Sequence, residues 1–275
     1  MRTFPYDDSP TSLFHPERAT DFFQHGPVRT DDALCAEMAR LAYVRDAAAL
    51  RGFLQRAGFS LVDMLDVEGS QAFIADDASR RVISFRGTQP DDPKDIFVDA
   101  RFLLVSWERG GRAHEGWIAG LRPLRGRIDE HAQTPLRLLL TGHSLGAALA
   151  TLTASLHPPH GLHTFGSPLV GDEELGRTLD GVTHHRYVDC CDLVTRLPPA
   201  AFAYRHTGER RFLDREGTLR PAATDDDIRR ECRGARTRYL LKLPFLRGKV
   251  ATRDLADHAP VNYVSALLGL LDTTS

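Results

Sequence analysis

Apolar residues at Leu34, Met38, Leu41, Ala42 and Val44 recur at helical spacing, which predicts a helix over 31–50 capped by Thr30 or Asp31. Two short strands are expected near 71–75 and 81–85, with Asp76-Asp77-Ala78-Ser79 as the turn between them. A helix over about 115–131 comes next. The pattern then changes. Residues 136–141 form a largely apolar run of strand length, and 144–156 has the small, apolar composition of a buried helix. Further strands fall at 162–165 and 184–188, a polar helix near 172–179 lies between them, and a last helix spans 260–271. Apolar strands alternating with helices signal an α/β fold whose mostly parallel central sheet is covered by helices on both faces. Residues 1–30, rich in Pro, Asp and Thr, read as an irregular arm. The Arg-rich stretch over about 214–256 reads as an insertion. There is no internal repeat, so a single domain over 1–275 is expected.

A chain of 275 residues with 42% hydrophobic and 26% charged residues has the composition of a globular protein with a substantial core. A net charge of −2 supplies no overall positive field to collect phosphates, so nucleic acid is not an expected partner. No apolar run reaches the length of a transmembrane helix. Met1–Asp8 does not read as a secretory signal, and Cys35, Cys190, Cys191 and Cys232 are few for this length. Reduced thiols and a cytoplasmic location are therefore expected. Neither CxxC spacing nor the His157–His163 segment, broken by Pro158 and Pro159, offers a metal-ligand pattern; no metal and no cofactor is expected.

Gly142-His143-Ser144-Leu145-Gly146 fits G-x-S-x-G. The motif alone is weak, but here an apolar strand precedes it and a small-residue helix follows, which is the setting of an α/β-hydrolase nucleophile elbow. The tight turn holds the serine hydroxyl clear of the sheet, and a side chain at either glycine would collide with the neighbouring strand or helix. Such a serine needs a base, and the base needs an orienting acid, in the chain order Ser, Asp or Glu, His. Asp189 and Asp192 lie just beyond the strand ending at Val188. With either as the acid, His206 and His258 remain as bases.

Several ordered motifs then resemble the class 3 (fungal-type) lipases of the α/β-hydrolase superfamily. They are Phe85-Arg86-Gly87-Thr88, Ala113-His114-Glu115-Gly116-Trp117, the elbow, Thr164-Phe165-Gly166-Ser167-Pro168, the run from Val188 to Pro199, and Asp257-His258. The resemblance covers residues 70–210 well and 255–270 acceptably. It implies Ser144 as nucleophile, Asp192 rather than Asp189 as acid, and His258 as base. Thr88 and the backbone N–H of Leu145 are implied as oxyanion donors. Asp189 departs from the family's usual Asn. His143 and His114 read as supporting residues, and His206 as a structural strand residue.

The implied activity is hydrolysis of acylglycerols or other lipid esters. Phospholipids or feruloyl-type aryl esters are the nearest alternatives, and a lipase-like interaction protein without turnover is the rival of another class. The intact Ser, Asp, His and Thr set argues against that rival. The family's lid position falls between Thr88 and His114. There Ile96, Phe97, Phe102, Leu103 and Leu104 fit either a lid or a core segment. Arg229–Arg247 is basic and amphipathic; it is expected to be a solvated helix with its Leu and Phe packed on the body, transient docking on a lipid surface being the competing reading.

Overall fold

The structure, a computed structural model, describes residues 4–20, 22–25, 28, 30–87, 102–199, 203–242 and 248–270. Its helices are α1 (Pro10–Phe14), α2 (Asp31–Leu41), α3 (Ala47–Arg56), α4 (Glu115–Leu121), α5 (Arg125–Ala132), α6 (Leu145–Leu156), α7 (Glu173–Arg177), α8 (Asp225–Lys242), α9 (Arg253–Ala256) and α10 (Pro260–Leu270). The strands are β1 (Ser60–Val67), β2 (Ser70–Asp76), β3 (Arg80–Phe85), β4 (Leu104–Ser106), β5 (Arg112–His114), β6 (Arg137–His143), β7 (Gly161–Phe165), β8 (His184–Asp189) and β9 (Glu209–Leu213).

The main sheet runs β1-β2-β3-β6-β7-β8-β9, antiparallel through β3 and parallel from β3 onward. In β6, Leu138 and Leu140 face the core under α4, α5 and α6, while Leu139 faces the core under α2, α3 and α10. That period-two division explains why the strand is apolar throughout: both of its faces are covered. Parallel register pairs Phe85 with Gly142, His143 with Phe165 and Phe165 with Tyr187. The carboxyl ends of β3, β6, β7 and β8 therefore meet along one edge of the sheet, where ligands bind in open α/β sheets.

The expected helix over 31–50 is two helices. Thr30 caps the first through its hydroxyl, and Asp46 caps a second by accepting from the Ala49 N–H at 2.7 Å, so the chain restarts there. The expected helix over 115–131 is interrupted at Arg122–Leu124, where Pro123 has no N–H to continue the ladder. β1 and β9 were not foreseen. Both are edge strands, half-solvated and rich in charge, and β1 carries a bulge between Leu61 and Asp63 that breaks its alternation. The N-terminal arm is also more ordered than expected. Asp7 N–H donates to Asn262 Oδ1 at 2.9 Å, and Tyr6 Oη donates to Asp257 Oδ1 at 2.8 Å, strapping the arm across α10 and the turn before it.

Buried histidines make this packing sensitive to acid. His184 on β8 is 5% exposed, between the hydroxyls of Thr164 and Thr207. Burial, reinforced by Arg186, lowers its pKa to about 3. Burial, with His258 alongside, likewise holds His143 well below 6.5. The unfolded chain therefore binds protons that the folded chain refuses. For His184 the contribution to stability is complete above pH 6.5 and is lost as pH falls toward 3, at about 1.4 kcal/mol per pH unit, and His143 acts in the same direction. Denaturant unfolding between pH 7.5 and 4.5 should show this slope, and His184→Gln should flatten it; an unchanged slope would remove His184 from the account.

Candidate active site

The elbow is built as its sequence requires. Ser144 follows β6 with φ 58° and ψ −126°, a conformation that non-glycine residues rarely adopt. A Cβ on Gly142 would come within 2.3 Å of the Gly146 carbonyl carbon, and one on Gly146 within 2.1 Å of the Phe85 oxygen. Both glycines are therefore needed for α6 to start against the end of β3. Leu145 opens α6, so its N–H has no acceptor within the helix and stands at the positive end of the helix dipole.

His258 follows α9 and presents both ring nitrogens to partners. Its Nε2 lies 2.9 Å from Ser144 Oγ, and its Nδ1 lies 2.9 Å and 3.0 Å from the two Asp192 oxygens. An Nδ1 facing a carboxylate carries the proton, which leaves the Nε2 lone pair for the serine O–H. All three residues are buried, at 4% exposure or less. Asp192 is held in turn: Tyr263 Oη donates to its Oδ2 at 2.6 Å, and Val194 N–H donates to its Oδ1 at 2.9 Å.

Asp189, three residues earlier, ends elsewhere. Its backbone N–H donates to Tyr263 Oη at 3.0 Å, and its buried carboxylate, with burial itself, helps push Asp257 up to about 7. Both hydrogen bonds from His258 Nδ1 go to Asp192. His206 stands apart as well, its Nε2 at 2.7 Å from the Thr195 carbonyl in a loop rather than a strand.

Three contributors were given no role by the sequence, although Gly166 stands in one of its motifs. Gly166 (φ 59°) makes room for the His–Asp pair: a Cβ there would sit 2.8 Å from Asp192 Oδ2 and 2.9 Å from His258 Nδ1. Tyr263 is the second. The third is Tyr43, whose Oη lies 2.8 Å from His143 Nδ1 while His143 Nε2 lies 2.7 Å from the His258 carbonyl. His143 thus donates from Nε2 and accepts from Tyr43, tying the base's backbone to the elbow. No periodic pattern marks these residues, because their partners are distant in the chain.

Thr88 and the expected lid residues Ile96 and Phe97 lie outside the described residues. Leu103 is exposed, and β4, beginning at Leu104, pairs with β5. His114 stacks on Trp117 with ring centroids 4.2 Å apart and accepts from the Gly116 N–H. The histidines of 157–163 are not one solvated loop. His157 pairs with Asp129, and His163 is buried on β7, its Nδ1 on Asp32 together with that of His185. In α8, Arg229 and Arg230 pair with acids one turn back and Arg236 with Asp254. Leu240 and Leu241 do not pack on the body as expected; they are 61% and 72% exposed. Residues 243–247 lie outside the described residues. No helix among the described residues is long and apolar enough to cross a membrane.

The chain is similar to known lipases in sequence and in fold. Residues 82–202 match the family model described as lipase (class 3). A secreted mono- and diacylglycerol lipase from Fusarium solani is 28% identical over 169 residues, 53% of this chain and 48% of that protein. A lipase from Rhizomucor miehei is 31% identical over 150 residues, 48% of this chain and 41% of that protein. The chain thus spans about half the length, or less, of these relatives. The solved triacylglyceride lipase of Rhizomucor miehei superimposes with a TM-score of 0.56 at 24% identity, over 66% of this chain and 78% of that one.

The cytoplasmic location expected from the sequence is overturned, since the Fusarium relative is named a secreted lipase, which points outside the cell. The grounds for that expectation were weak. Buried unpaired cysteines behave as small apolar residues and carry no compartment signal of their own. The strand order and the solved neighbours give the chain an α/β-hydrolase fold, and its residues 82–202 and its elbow are similar to the class 3 lipases.

Proposed function

We propose that this chain hydrolyses carboxylic esters, acylglycerols among them, through an acyl-enzyme on Ser144. The observation that carries the reading is the buried chain of contacts from Ser144 Oγ through His258 to Asp192. Ser144 Oγ attacks the ester carbonyl while His258 Nε2 takes its proton, and Asp192 stabilises the imidazolium that forms. The oxyanion is received by the Leu145 N–H and by Thr88, the latter on family resemblance. His258 then protonates the leaving alcohol, which departs, and activates the water that releases the acid. The fixed tautomer of His258 favours this sequence, since Nε2 can take a proton only if Nδ1 already holds one.

The same reading treats residues 1–275 as one domain, supported by the arm's bonds to α10 and by the Arg236–Asp254 pair between α8 and α9. Transient contact with a lipid surface belongs to it too, supported by the exposed Leu240 and Leu241. The test is a panel of p-nitrophenyl esters of graded acyl length, run beside a triglyceride emulsion and a phospholipid dispersion. Turnover of the short esters and of the emulsion is expected. Hydrolysis confined to phospholipid would reassign the substrate, and no hydrolysis of any ester would refute the reading.

A further inference from the structure

Behind the loop that carries Asp192, three thiols converge. Cys190 and Cys191 follow β8, and Cys232 reaches them from α8; their sulfurs all lie within 4.8 Å of one another. Cys190 Sγ and Cys191 Sγ are 3.6 Å apart. We propose that Cys190, Cys191 and Cys232 form a zinc site that staples α8 to the Asp192 loop.

The backbone supports this convergence. Adjacent residues in extended chain point to opposite sides, but Cys190 has φ 37°, a left-handed conformation that turns its side chain and that of Cys191 to the same side. Non-glycine residues rarely adopt such a conformation, and it persists only where the surrounding structure holds it. Zinc–thiolate bonds of about 2.3 Å place sulfurs about 3.8 Å apart in a tetrahedron, so only small movements would be needed.

Mere apolar filling does not account for the surroundings. Arg196 Nη2 lies 3.2 Å from Cys232 Sγ, a cation set against a thiol. Three thiolates, one guanidinium and one divalent cation sum to zero, the balance a buried site requires. Each thiol that is protonated gives its proton to solvent as the metal binds. A cleft of about 450 Å³ lined by Cys190, Thr195 and Arg196 borders the cluster on its Cys190 side, and a water would complete the tetrahedron as fourth ligand. A disulfide fits less well. Neighbouring Cα atoms are about 3.8 Å apart, below the usual disulfide range of about 4.4–6.8 Å, so Cys190 and Cys191 would bridge only under strain. A bridge from Cys232 to either would leave the third thiol idle. Sequence spacing hid the cluster, because Cys232 lies 41 residues beyond Cys191.

The purified full chain is stripped with chelator under reducing conditions, then titrated with Zn²⁺ against a chromophoric chelator, and separately with Cd²⁺ while following the thiolate charge-transfer band. One equivalent of each metal is expected, with the melting temperature rising on loading. Cys232→Ser should abolish the Cd²⁺ band and weaken Zn²⁺ by more than the roughly 10–100-fold that loss of an outer-shell partner costs. Cys35→Ser should leave the metal stoichiometry and the Cd²⁺ band unchanged. Near-UV circular dichroism checks that the variant folds, and Cys190→Ala carries the same expectation if it does not. Failure of the wild type to bind stoichiometrically, unchanged binding in the variants, or a disulfide among these three cysteines in the isolated protein would overturn the proposal.

Discussion

Ser144→Ala should lower ester turnover by at least about 10⁴-fold while leaving the unfolding midpoint close to that of the wild type. The size follows from what is removed. Among the described residues, Ser144 Oγ is the partner of the His258 Nε2 lone pair, at 2.9 Å, and without it no acyl-enzyme forms. Fold should be spared because, among the described residues, Ser144 Oγ bonds His258 alone, and alanine keeps the Cβ that this position already accommodates at φ 58°. Stopped assays on a p-nitrophenyl ester, beside a guanidinium melt, measure both quantities. Activity within tenfold of wild type would remove Ser144 from the chemistry.

Asp192→Asn should lower turnover by roughly 10⁴-fold, and Asp189→Asn by less than about tenfold. In the first variant the amide can present N–H to His258 Nδ1, which stabilises the tautomer with its proton on Nε2 and leaves no base facing Ser144. Tyr263 still donates to the remaining oxygen, so the loop should stay in place. Asp189 lies in the same loop and is equally buried, yet its backbone N–H bonds Tyr263, and burial together with its carboxylate raises Asp257, while both bonds from His258 Nδ1 go to Asp192. Its loss should therefore show in stability and leave kcat nearly intact. Reversal of the two outcomes would move the acid to Asp189.

The contrast between these two aspartates marks how far the sequence could be read. The elbow is local: an apolar strand, two glycines that admit no Cβ, and a small-residue helix lie within about twenty consecutive residues, so Ser144 was legible without a structure. The parallel sheet was legible from β6, a largely apolar run covered on both faces, and from the alternation of strands and helices that follows it. Asp192 could not be separated from Asp189 by spacing, because a turn through Cys190 decides which carboxylate faces His258; only the family resemblance favoured Asp192. Edge strands β1 and β9 escaped because half-solvated, charged strands lack the alternation that identifies a strand. Tyr263, Tyr43 and Gly166 escaped for a different reason. Each acts on a partner brought close by the fold, as Tyr263 does on Asp192 from 71 residues away. The arm followed the same logic: its polar, proline-rich composition said nothing of Asn262 or Asp257, which give it its place.

Reaction with a fluorophosphonate tests the central claim most directly, because only a serine activated by a positioned base attacks phosphorus at a useful rate. The account predicts one adduct per chain, located on Ser144 by peptide mass spectrometry, forming far more slowly in His258→Ala and in Asp192→Asn. An adduct on another serine, or ester turnover that persists while Ser144 stays unlabelled, would contradict it.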